Sequence, residues 1–126
     1  MKSDKIIYAK THADFLNQAY GTSYKQYMRG RWVYNDNTWV WMVRMDSMIR
    51  DGWVNKIISE NEIHEEYVWG GVPSYAYEKE KPYRIAVRIV DIPGSTTRAY
   101  HILGRYKYDF SASTDKKHIL IKVEDV

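Results

Sequence analysis

Cysteine is absent from this sequence, and proline and phenylalanine are scarce, at three and two copies. The missing thiol excludes disulfides, thiolate-bound metals and cysteine nucleophiles, and it fits a reducing compartment. The prolines, at positions 73, 82 and 93, lie in no Gly/Ser-rich stretch, so nothing reads as a linker. No apolar run approaches the ~20 residues that span a bilayer. The first ten residues set Lys2, Asp4, Lys5 and Lys10 around a short Ile6-Ile7-Tyr8, without the continuous apolar segment of a secretory signal. No internal repeat or low-complexity tract interrupts the chain. These absences lead to the expectation of a single domain over residues 1–126, without a membrane partner and located in the cytoplasm.

What the chain does contain is polar aromatic surface. There are 12 tyrosines and 5 tryptophans among 126 residues, with 44% hydrophobic and 28% charged residues, a globular composition. Rings with a polar handle suit binding surfaces and pocket walls, and they also serve as ordinary cross-strand pairs. The net charge of +3 is unevenly spread. Residues 1–31 carry six Lys or Arg against Asp4 and Asp14, and residues 78–107 carry seven against Glu78, Glu80 and Asp91. Between them, residues 44–66 hold Arg44, Arg50 and Lys56 against six acids. Two basic segments around an acidic one suggest an anion-facing surface.

Periodicity predicts a mainly antiparallel, curved sheet or partly open small barrel with two or three short helices, an α+β class. Thr11 as cap, Asp14, the stripe Phe15-Leu16-Ala19 and the stop at Gly21 define a helix over 11–20. Ser23 with Gln26 repeats the cap pattern for a second helix ending before Gly30, and Ser59 with Glu62 does so for a third through Tyr67. Strands are expected over 31–34 and 38–46, joined by Asn35-Asp36-Asn37, and over 53–58. Further strands are expected over 83–91, 99–110 and 118–123. Residues 38–46 are apolar on both faces, the mark of a central strand. Pro93-Gly94 fits a type II turn, and Gly104 a bulge.

Catalytic signals are thin. His12, His64, His101 and His118 match no metal spacing, and His64-Glu65-Glu66 lacks the second histidine of the zinc-protease pattern. Asp115 and Lys117 have a local spacing that metal-dependent nucleases use, with Asp109 six residues upstream, but the three surround a Ser/Thr-rich turn where charge is expected anyway. Glu60, Glu62, Glu65 and Glu66 read as a solvated helix start. No catalytic residue, metal site or cofactor is assigned, and a non-enzyme is the expectation.

The binding signal is firmer. Arg84 and Arg88 alternate outward on one strand, Arg105 and Lys107 on the next, with Arg98 nearby, so that a paired hairpin would set them side by side as a phosphate-tracking strip. Tyr100, Tyr106 and Tyr108 would then share the strand's opposite face and pack inward or line a pocket. The 69–77 loop, with Trp69, Tyr75 and Tyr77, could contact bases. The strand ending in RIVDI, the segment HILGRYKYDF with Gly104-Arg105-Tyr106, and the final strand resemble, over residues 83–123, small barrels of the PUA-like type. These include the modified-base readers attached to restriction enzymes. The resemblance implies a small barrel that reads nucleic acid, and it carries over no base-contacting residue. The first reading is therefore a non-catalytic DNA- or RNA-binding domain. The alternative is a protein-interaction or inhibitor module, of phage or mobile-element type, engaging a partner protein through its Tyr/Trp surface. A third is a small-molecule-binding barrel with an aromatic pocket.

Overall fold

The computed structural model describes residues 5–71, 73 and 81–126. Along the chain run β1 (Lys5–Ala9), α1 (His12–Tyr20), β2 (Arg31–Asn35), β3 (Thr38–Val43) and β4 (Trp53–Ser59). They are followed by β5 (Glu62–Tyr67), β6 (Tyr83–Asp91), β7 (Arg98–Tyr108) and β8 (Lys117–Glu124).

The helix forms where its signals place it. Thr11 Oγ1 accepts the Asp14 N–H at 3.1 Å, and the Asp14 carboxylate accepts the Lys10 N–H at 3.1 Å. Gly21, at φ +70°, closes the helix with its N–H on the Asn17 carbonyl. The other two expected helices do not exist. Residues 23–29 are irregular, held by the Asn17 carboxamide, which donates to the Tyr24 carbonyl and accepts the Tyr24 N–H. Residues 62–67 are strand β5, because a period of two places Ile63 and Glu65 inward. Ser59, the supposed cap, accepts the Asn61 N–H and so holds the tight β4–β5 turn instead.

All eight strands join one open, mixed sheet in the order β2-β3-β6-β7-β8-β5-β4, with β1 beside the first half of β7. Only β3 and β6 run parallel; the other described pairings are antiparallel. The described residues are thus sheet-dominated with one helix, rather than α+β with two or three. As expected for a central strand, β3 is flanked by β2 and β6 and buries both its faces.

Each sheet face carries its own core. On one, Phe15 and Leu16 of α1 pack against Val40, Met42, Ile85, Val87, Ile89 and Tyr100. Phe15 stacks on Tyr100 with ring centroids 4.7 Å apart. The other face is concave and holds Trp41, Ala86, Tyr106 and Tyr108 together with Ile63 and Leu120. The curvature is strong. Arg84 of β6 reaches Glu65 of β5 at 3.0 Å, although β7 and β8 lie between those strands in the sheet.

The β6–β7 hairpin turns at Pro93-Gly94 as expected: the Ile92 carbonyl accepts the Ser95 N–H, and Gly94 sits at φ +75°. Gly104 is the bulge, at φ +146°. Before the bulge Val87 pairs with Ile102; beyond it Ala86 pairs with Gly104 and Arg84 with Tyr106. The extra residue reverses the facing of everything after it on β7.

Candidate nucleic-acid interface

That reversal breaks up the expected basic strip. Arg84 and Arg88 do share the concave face, but Arg105 and Lys107 pair with Ile85 and Tyr83 and lie on the opposite one. There Arg105 sits 4.3 Å over the Tyr83 ring and bonds Glu124 at 2.6 Å. The three tyrosines separate likewise. Tyr100 enters the helix-side core, while Tyr106 and Tyr108 enter the concave one.

Arg84 does not face outward at all, being fully buried. Its guanidinium pairs with Glu65, donates to the Tyr108 hydroxyl and lies 4.6 Å from the Trp41 ring. His118, also fully buried, donates from Nδ1 to Glu65 at 2.7 Å. Burial alone would raise the Glu65 carboxyl, but the Arg84 charge and the hydrogen bonds from His118 and Arg84 hold it down to about 2. Glu65 is therefore no solvated helix acid. Alternation along 62–67 carried the signal for Glu65, but its partner Arg84, with two strands between them in the sheet, is beyond any local pattern.

Above this charged floor opens a pocket of about 420 Å³, walled by Trp39 and Trp41 of β3 on one side and by Trp53 and Asn55 of β4 on the other. Its two walls come from opposite ends of the sheet, and no ladder joins β2 to β4. Contact between the β3 and β4 sides is made at one end, where Asp46 bridges Lys56 and the Ser47 N–H donates to the Asn55 carbonyl. Two buried polar atoms of the walls, Trp39 Nε1 and Asn55 Oδ1, have no hydrogen-bond partner among the described residues. Buried polar groups are normally satisfied, so these two unpartnered atoms set the wall apart from the rest of the core.

The rim is cationic. Arg29 and Arg31 line it, and Arg31 lies 4.8 Å from the Trp39 ring, with Lys81 at 5.5 Å. At the end of the sheet where β3 finishes, Asp91 is bound by Arg44 through two hydrogen bonds of 2.7 and 2.9 Å and lies 4.0 Å from Arg98. Arg88 is exposed nearby on β6, opposite His101. Burial, and then the charges of Arg98 and Arg44, lower the His12 imidazole, a sign of positive potential there. Trp69 is about half exposed and packs against Gly52, next to the pocket residues Asp51 and Trp53. Tyr75 and Tyr77 lie outside the described residues. At the Ser/Thr turn, the Asp109 carboxylate accepts from Ser111 and Ala112 and so serves the turn itself. Among the described residues no three His, Asp or Glu side chains are placed to hold a metal ion, and no helix is long and apolar enough to cross a membrane.

An open, curled, mixed sheet with one helix on its convex side is the class this architecture defines. In structure the chain is similar to the 5-hydroxymethylcytosine-specific restriction enzyme AbaSI, with a TM-score of 0.69 and 22% sequence identity. The match covers 94% of this chain and 39% of that one, so the chain spans well under half the enzyme's length. The likeness is one of fold. No protein-family description matches the chain, and no curated protein matches it in sequence.

Proposed function

We propose that this chain is a DNA-binding module that accepts one unstacked base in the tryptophan pocket, without itself cutting the strand. The observation that carries the reading is the pocket wall of three tryptophans, Trp39, Trp41 and Trp53, among which the buried Trp39 Nε1 and Asn55 Oδ1 have no hydrogen-bond partner among the described residues. Indole walls stack a base of any sequence, while a donor and an acceptor at fixed places select among base edges. The fold shared with an enzyme specific for 5-hydroxymethylcytosine supports DNA as the ligand. Arg29, Arg31 and Lys81 at the rim, and Arg44, Arg88 and Arg98 at the end of the sheet, supply phosphate contacts on either side. Of the residues singled out in the sequence, Arg88 and Arg98 keep a direct role, Trp69 flanks the entrance, and Arg84 supports the pocket from below.

The test is titration of labelled single- and double-stranded oligonucleotides, with and without modified cytosine, across a salt series. Binding should weaken steeply with salt, and Asn55→Leu should reduce affinity by about ten-fold or more while leaving the salt slope unchanged. Wild-type affinity that Asn55→Leu does not alter would remove the pocket from the interface.

A further inference from the structure

Between β3 and β4 the chain makes an outward excursion whose tip reaches beyond the pocket rim. The Arg50-Asp51-Gly52-Trp53 segment is a two-residue hairpin, with Asp51 at φ +53° and Gly52 at φ +88°, and Arg50 and Trp53 exchange backbone hydrogen bonds of 2.9 Å. Asp46 grips Arg50 through both carboxylate oxygens, at 2.7 and 2.9 Å, and accepts the Met48 N–H. Ser47, a non-glycine residue at φ +64°, redirects the chain. Strain of this kind persists only where the surroundings enforce it, and it clusters at working sites. The outcome is a braced tip that holds two large apolar side chains in solvent: Met48 is 61% exposed and Ile49 55%. Next to them, Arg50 and Asp51 line the pocket rim.

An apolar pair on a stiff, cation-flanked projection at the mouth of an aromatic pocket matches a wedge. Proteins that kink or open a duplex insert Met, Ile, Leu or Phe between base steps and so offset the loss of base stacking. We propose that Met48 and Ile49 enter the base stack beside the base that moves into the pocket, occupying the space it leaves. The inference rests on the base-pocket reading. It assigns the tip a task distinct from ligand contact: opening paired DNA. A flexible tip would lose much of its insertion energy to ordering, which the Asp46–Arg50 clamp and the Asp51-Gly52 hairpin avoid.

The experiment compares wild type, the double variant Met48→Ala/Ile49→Ala, and Asn55→Leu on a matched duplex, the same duplex with a central mismatch, and its single strand. The double variant is expected to lose about ten-fold or more on the matched duplex, less on the mismatched one, and nothing on the single strand, because only pairing and stacking oppose base extrusion. Asn55→Leu should lose affinity on all three. Met48→Gln, which keeps the length of the side chain, serves as a second variant should the double one melt early. An equal loss on duplex and single strand, or none on either, overturns the wedge and leaves the pocket standing; an unchanged duplex affinity is also the outcome if the tip meets another protein. Wild-type protein that binds none of the three overturns the pocket reading, and the wedge with it.

Discussion

A guanidinium with no exposed surface must be neutralised where it stands, and Arg84 is neutralised by Glu65, which also takes a hydrogen bond from His118. Removing one member leaves an uncompensated charge in the interior. Arg84→Ala should therefore cost about 3–5 kcal/mol in chemical denaturation, with the denaturant slope unchanged. An exposed phosphate-binding arginine would cost almost nothing. Glu65 links the same cluster to pH. A glutamate in the unfolded chain titrates near about 4.3, whereas in the folded protein Glu65 is held down to about 2. Its contribution to stability is complete above the unfolded value and is lost as pH falls through the window toward the folded one. Thermal melting between pH 5 and 2 should show this decline, and Glu65→Gln, starting from a lower stability, should flatten it.

Among the elements, β7 does the most to arrange the face that matters. It pairs with β6 along its length and divides its other edge between β1 and β8, and Gly104 sits where that division falls. A Cβ at Gly104 would stand 2.5 Å from Lys122 Cε and 2.9 Å from the Glu124 carbonyl oxygen, at a φ of +146° that side chains rarely adopt. Gly104→Ala should cost about 2 kcal/mol or more, read as a lowered denaturation midpoint. This position also shows how much of the design was legible in the sequence. The glycine marked the bulge, the alternation marked β2, β3, β4, β6, β7 and β8 but neither β1 nor β5, and the cap residues marked α1. What the bulge does to facing depends on where the ladder resumes, so Arg105 and Lys107 were placed beside Arg84 when they lie behind it. Ser59 misled for a related reason: the same hydroxyl that caps a helix also holds a tight turn, and only strand pairing decides between them. The Asp51-Gly52 dipeptide was a legible hairpin signal that the charge-based reading passed over.

For the whole molecule, the arrangement of charge differs from its arrangement along the chain. The two basic segments do not merge into a strip. Arg44, from the acidic middle segment, joins Arg88 and Arg98 at one end of the sheet, with Asp91 the acid that Arg44 and Arg98 share. Replacing Arg44, Arg88 and Arg98 with Ala should lower the salt slope of DNA binding by roughly two to three units, about one per phosphate contact. Lys107→Ala, at the far end of β7 from Arg98, should leave it unchanged. Bound DNA should also raise the His12 imidazole, because a nearby phosphate favours the protonated ring; a proton NMR titration with and without oligonucleotide would read the shift. The tryptophan pocket escaped the sequence reading because its walls, around Trp41 and Trp53, meet only once the sheet has curled.

That meeting is a seam rather than a ladder, clipped at one end by Asp46 with Lys56 and by Ser47 with Asn55. Beyond the clip, the gap between the walls is set by side chains and not by a row of backbone hydrogen bonds. Exchanging Trp39, Trp53 or Asn55 for residues of other size can therefore widen or narrow the cavity without breaking a strand pairing. Ligand choice and structural integrity become separately adjustable, so a library varied at these three positions should yield folded proteins of altered preference far more often than one varied at Arg84, Glu65 and His118.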